Sequence, residues 1–295
     1  MFATIYLPNF YLQAALRHQM PPPEFYVWQQ FRDSDGKPLY PQRPLLPNAG
    51  GVGPGYASQS GRFSGKMIVV ECLMDEAAYP WQADWYRNRV REYLGAKLDD
   101  NYRLWFVDHA MHVSPGSYLA IGEGGNINSG HSAVETRIVS YSGILQQALR
   151  DVAAWAERGI APPQSTNYRM DDGQVVVPAS APERKGPQPV VDVTVNGGAR
   201  ADVKVGQPVS LSGIIEAAPD TGSVIGAEWD FDGSGAYSVK EQITPAPRVS
   251  VMRSHAFSKP GTYFPALRAT VQRQDAAGTP FARVQNLGRV RVVVR

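Results

Sequence analysis

Residues Gly65–Val90 read "GKMIVVECLMDEAAYPWQADWYRNRV". The short run Met67–Cys72 predicts a buried strand. Just past its end stands one acid, Asp75. Then Ala83–Leu94, "ADWYRNRVREYL", places Trp85, Tyr86, Val90, Tyr93 and Leu94 at helical spacing, with Gly95 as the stop. Further on, "YRLWFV" (Tyr102–Val107) predicts a second strand. Ile144–Gly159, "ILQQALRDVAAWAERG", predicts a helix with Leu145, Leu149, Val152 and Trp155 on one face and Gly159 at its C-terminus. Strand, helix, strand, helix is the signature of an α/β sheet.

The chain of 295 residues has room for two domains at about 100–200 residues each. The net charge of +2 gives no bulk reason to expect nucleic acid or an anionic membrane. Cys72 is the only cysteine, so neither an internal disulfide nor a multi-cysteine metal site is available. No run of about 18 apolar residues predicts a membrane span. The start, "MFATIYLPNFYLQAALRHQMPPP", lacks the basic lead and cleavage site of a signal peptide; part of it reads as a short amphipathic helix. Residues 32–65 read as loop, and 1–64 together as a cap-like segment.

Around 178–189, "PASAPERKGPQP", the composition turns Pro-rich and polar, which reads as a linker. Beyond it, "VVDVTVN", "QPVSLSGIIEA", "VIGAEWDFD", "RVSVMRSHAF", "GTYFPALRATVQRQ" and "GRVRVVV" read as strands separated by turns. That spacing predicts an all-β, immunoglobulin-like sandwich over 190–295 without helices.

The chemistry sits at the strand ends. In open α/β sheets, functional groups gather outside the carboxyl ends of strands. The first strand delivers Asp75 there, and the second leads into "DHAMHV" with His109 and His112. A carboxylate that accepts a histidine Nδ1–H fixes the tautomer, so that Nε2 can take a proton from a nucleophile. An acid just past a strand is also a common turn or cap residue. His18 reads as a helix-surface residue and His131 as a loop residue. A nucleophile elbow of the form GxSxG is missing from the sequence. Ser58, Ser60 and Ser64, in "GYASQSGRFSGK", lie in a Gly/Ser loop without the strand-to-helix context.

From Gly65 to about Pro162 the chain resembles the C-terminal third of an α/β-hydrolase of the tannase and feruloyl-esterase type. The matching pieces are the opening stretch, "YRLWFVDHAMHV" and "ALRDVAAWAERGIAP". The resemblance implies that Asp75 is the triad acid and His112 the triad histidine, in the acid-then-histidine order of that fold. The sequence departs from the family at Asp108-His109, where Pro-Gly is usual, and at Val113, where a cysteine is frequent. His109 therefore stands as a second candidate. Under this resemblance either the serine lies upstream of Met1, in a longer hydrolase of which this is the C-terminal part, or the chain is a degenerate relative that has lost it; the start favours the first.

"AEWDFDGSGAY" (Ala227–Tyr237) and "RSHAFSKPGTYFPALRATV" resemble a polycystic-kidney-disease-type (PKD) domain. Trp229, Asp230, Phe231, His255, Phe257, Pro260, Gly261 and Tyr263 carry the match. The resemblance implies an extracellular spacer or a contact with polysaccharide or protein. Asp230, Asp232, Ser234, Gly235 and Glu241 also have the spacing of a calcium loop. In an all-β setting without flanking helices the stretch reads as a strand-ending turn.

Two functions are therefore expected to compete. One is an esterase-like serine hydrolase acting on small-molecule esters through Asp75 and His112, without cofactor or metal. The other is a non-catalytic hydrolase remnant joined to a binding or spacer sandwich. Tyr79, Trp81, Trp85 and Trp105 can line an acyl pocket or simply fill a core.

Overall fold

The computed structural model describes residues 33–37, 39, 60–112, 136–273 and 282–295. Gly61–Arg295 form one compact unit. The N-terminal helix expected within 1–20, Ser58, His18 and His131 lie outside the described residues.

Strand β1, Met67–Cys72, runs parallel to β2, Tyr102–Val107, with Met67 opposite Tyr102 and Cys72 opposite Val107. Helix α1, Trp81–Leu94, then a 3₁₀ turn, Gly95–Lys97, and one-turn helix α2, Leu98–Asn101, make the crossover. Each residue of β2 is buried, because alternate side chains enter different cores. Tyr102, Leu104 and Phe106 meet Ala83 and Val90 of α1. Trp105 and Val107 meet Ile144 and Ala148 of helix α3, Ser142–Arg158. Trp105 is thus core, whereas Trp85 is exposed on α1.

The outer edge of β2 is closed by side chains instead of a third strand. Leu104 N donates to Ser165 Oγ at 3.1 Å, and Phe106 N donates to Thr166 Oγ1 at 3.1 Å. Asp108 N, just beyond, donates to Gln188 Oε1 at 2.7 Å. These bonds satisfy backbone groups that an open sheet edge would leave unpaired. The described residues thus contain a two-stranded parallel sheet with a helix on each face, not a full α/β-hydrolase sheet.

Helix α3 corrects one expectation. Its buried positions are Ile144, Gln147, Ala148, Asp151 and Trp155, whereas Leu145 and Leu149 are 43% and 59% exposed. The helix has apolar residues on two faces. The face that packs is the one that also carries a polar anchor, Asp151, whose partner lies far along the chain at Arg273. Gly143 opens the helix where a Cβ would run into the Arg283 carbonyl oxygen, so the first turn can lie directly on the sandwich. Gly159, at φ +71°, ends it in the left-handed conformation that closes helix carbonyls.

Strands β3, Arg169–Asp171, and β4, Gln174–Val176, form a small hairpin. Val175 and Val177, with Tyr168, cover the α1-side core. The 178–189 stretch contains one-turn helix α4, Ala181–Arg184, and is packed: Ala181, Arg184 and Gln188 are buried.

The rest is a β-sandwich. Its strands are β5, Val190–Val195; β6, Arg200–Val203; β7, Pro208–Glu216; β8, Ser223–Asp230; and β9, Val239–Lys240. They continue with β10, Arg248–Ala256; β11, Gly261–Tyr263; β12, Ala266–Gln272; β13, Arg283–Arg289; and β14, Arg291–Val294. One sheet has the order β10-β7-β5 and the other β13-β12-β8-β9. This is the A, B, E against C′, C, F, G arrangement of an immunoglobulin-like sandwich. Strand β14 pairs in parallel with β6 and antiparallel with β11. The β11–β14 and β12–β13 ladders keep one register, Gly261 opposite Val294 and Ala266 opposite Arg289, across a break at Phe264-Pro265. Proline has no N–H for the ladder, which explains why one expected strand appears as two.

The sandwich core gathers Trp229, Leu211, Ile215, Leu267 and Val292. Trp229 lies fully buried, stacked on Phe231 at 5.7 Å between centroids, and its Nε1 donates to Glu241 Oε1 at 2.9 Å. The described residues after 189 contain no α-helix. Strand β6 and the polar first half of β13, "RVQNL", were not expected from the sequence.

Candidate functional site

The loops after β1 and β2 are stitched together by their backbones. Leu73 N donates to the Val107 carbonyl at 2.8 Å, and Met74 N to the Ala110 carbonyl at 2.9 Å. Parallel pairing therefore continues past the strands and carries Asp75 to the same place as the second histidine. His112 Nδ1 lies 3.0 Å from Asp75 Oδ2 and 3.1 Å from Oδ1. The carboxylate side chain is 10% exposed and the imidazole 36%.

Asp75 has other work as well. Its Oδ1 accepts Ala77 N at 2.8 Å and Ala78 N at 2.7 Å, closing the turn that leads to α1. One carboxylate thus serves both as a turn residue and as a histidine partner, and the turn fixes its orientation. His112 is held through its backbone: its carbonyl accepts Tyr141 Oη at 3.1 Å, and its N–H lies 3.4 Å from Glu76 Oε2. With Nδ1–H donated to a carboxylate, Nε2 is the basic nitrogen.

His109 goes elsewhere. Its Nδ1 lies 3.0 Å from Asn286 Oδ1 and 3.3 Å from Asp108 Oδ1. The structure brings Asp75 together with His112 and sets His109 against the sandwich. Ser60 is exposed in the segment before β1.

Glu71, on β1, was not singled out in the sequence. Its Oε1 is buried without a hydrogen-bond partner. Burial, with the Asp75 charge adding, pushes its carboxyl up to about 8. Burial also pushes the Cys72 thiol up to about 12, with Glu71, Asp75 and Glu76 contributing, which makes it a core residue and a poor nucleophile. The Glu71 proton has a thermodynamic consequence. Unfolded, the carboxyl ionises near its ordinary 4.5; folded, it does so near 8. Between these values the folded state binds more protons, so stability falls as pH rises. Glu71→Gln is therefore expected to stabilise the protein by on the order of 2 kcal/mol at high pH, with no gain in acid. Thermal unfolding across the pH range tests this. An equal Tm difference at both ends of the range would show that the carboxyl proton plays no part.

The calcium spacing meets a different geometry. Asp230 Oδ1 accepts Gly233 N at 3.0 Å and Ser234 N at 3.2 Å, and its Oδ2 accepts Gly235 N at 2.7 Å. Backbone donors already occupy this carboxylate. Glu241 is bound to Trp229 and, in a two-pronged ion pair at 2.8 Å, to Arg253. Among the described residues no group of three or more His, Cys, Asp or Glu gathers as a metal site, and no helix is long and apolar enough to cross a membrane.

No family model matches the sequence, and no curated protein matches it. Among solved structures, the PKD domain of an M14-like peptidase from a Thermoplasmatales archaeon is similar at 16% identity and a TM-score of 0.26. That match covers 37% of this chain and 98% of that one. The CARDB domain of a Pyrococcus furiosus protein, solved in complex with di-metal ions, is similar at 12% identity and a TM-score of 0.25, covering 37% of this chain and 96% of that one. The immunoglobulin-like architecture of the sandwich rests on its own strand order.

Proposed function

We propose that Asp75 and His112 are the acid and base of a serine esterase site. The observation that carries this is the 3.0 Å approach of His112 Nδ1 to Asp75, on adjacent loops at the carboxyl ends of two parallel strands. In this mechanism His112 Nε2 takes the proton of a serine hydroxyl as its oxygen attacks an ester carbonyl. Asp75 stabilises the imidazolium. The proton then passes to the departing alcohol as the ester C–O bond breaks. Water, deprotonated by the same nitrogen, cleaves the acyl-enzyme and releases the acid. The serine is not one the described residues identify. Within this reading, 65–177 is the hydrolase-like part, 190–295 the sandwich, and the full protein acts outside the cell on small-molecule esters.

The test is covalent labelling with a fluorescent fluorophosphonate. It is run on this chain and on the chain extended by any in-frame sequence preceding Met1. Labelling that falls by about 10³-fold or more in both His112→Ala and Asp75→Asn is the expected result. Labelling that is absent from both forms, or indifferent to His112→Ala, overturns the proposal. The non-catalytic reading would then stand. In it, the partly buried ring series Phe231, His255, Tyr263 beside buried Phe257 is the feature to probe for polysaccharide or protein contact.

A further inference from the structure

Deepening that reading, we infer that Asn286, in the sandwich, is a positioning residue for His112 and acts through His109. Asn286 is almost fully buried on β13. Its Nδ2 donates to the Pro189 carbonyl at 2.7 Å, which fixes the amide orientation and turns Oδ1 toward His109 Nδ1 at 3.0 Å. His109 is therefore the donor in that bond. His109 sits at φ +53°, in the left-handed region that a residue with a Cβ enters only when held there. Three bonds hold it. Its side chain meets Asn286, its N–H donates to Asp108 Oδ1 at 2.9 Å, and its carbonyl accepts Val139 N at 2.6 Å.

This strained residue is the bend of the loop that delivers His112. The next residue, Ala110, carries the carbonyl that accepts Met74 N from the Asp75 loop. Asp108, just before it, is tied down on two sides. Its Oδ2 pairs with Arg184 Nη1 at 3.0 Å, and its carbonyl accepts Gln188 Nε2, which also donates to the Gln285 carbonyl at 3.0 Å. The 178–189 stretch thus fixes the near side of the bend and the Asp75 loop its far side, and among the described residues the sandwich reaches the strained residue itself through the Asn286–His109 bond. Without it the backbone can relax out of the left-handed region and carry His112 off Asp75.

The measurement is NMR of the histidine ring protons in the full chain, well below its unfolding temperature. In the parent protein the His112 Nδ1 proton is expected far downfield and protected. In Asn286→Ala its exchange with water should rise by about fivefold to tenfold, the effect of losing one net hydrogen bond. His109→Ala should match it, and the double variant should add nothing further, because both changes remove one link. Val251→Ala supplies a sandwich variant of comparable instability that leaves the link intact. The inference is overturned if the His112 proton is unchanged in Asn286→Ala, if Val251→Ala moves it equally, or if the two single changes add. This readout does not depend on esterase activity, so absence of labelling and absence of this coupling are separate results.

Discussion

Asp151→Ala is expected to destabilise the Gly61–Arg295 unit by about 3–5 kcal/mol, the cost of leaving one buried charge without its partner. Asp151 lies on the packed face of α3, and its Oδ2 is 2.7 Å from Arg273 Nη1, just past β12 in the sandwich. The arginine side chain is 3% exposed, and its Nε has no partner. Water cannot solvate the guanidinium that remains. Replacing both residues, Asp151→Leu with Arg273→Met, should recover most of the loss, because a buried ion pair contributes little over apolar packing. Urea unfolding followed by far-UV and tryptophan signals measures both. The pair ties helix to sandwich, so the two signals should change in one transition in the parent protein. A stable single variant, or two separated transitions in the parent, would show that the parts do not lean on each other.

Trp229→Ala should cost about 3–5 kcal/mol by opening a cavity at the centre of the sandwich. The loss has a second component. Glu241 Oε1 accepts both Trp229 Nε1 and Arg253 Nε, so removing the indole frees a carboxylate that helps hold β10 near β9. Trp229→Phe keeps much of the apolar area and loses the N–H, and should cost less, about 1–3 kcal/mol. It also keeps a ring for Phe231 to stack on, and with it the series through His255, Phe257 and Tyr263. Denaturant midpoints for the two variants, together with near-UV circular dichroism, check the order. Equal losses would place the weight on the Glu241 bond instead of the packing.

The strands Met67–Cys72 and Tyr102–Val107 were legible to the residue, because short runs that are apolar but for Glu71 and Arg103, set between turn signals, have few alternatives. Helix α3 was legible as a helix but not in orientation. Leu145 and Leu149 outweigh Asp151 on any apolarity scale, yet Asp151 faces inward because Arg273 is there to meet it. Polar residues hid the start of β13 in the same way, since Asn286 does not look like core until its partners at Pro189 and His109 are in place. The Asp75–His112 pairing could be anticipated because parallel strands bring their following loops to one side. Asn286 could not, being 177 residues from the histidine it touches.

That distance governs the order of events in the cell. The ribosome releases β1, α1 and β2 long before β13, at about 5–20 residues per second. Until Val284 arrives, the Ile144–Ala148 face of α3 and the Trp105 side of the sheet lack part of their covering. The closing strand, β14, also has to find β6, laid down near the beginning of the sandwich. Contacts this remote in sequence form slowly, because the loop entropy is lost before any contact rewards it. A nascent chain of this protein therefore keeps an open apolar flank until β13 has been made and docked.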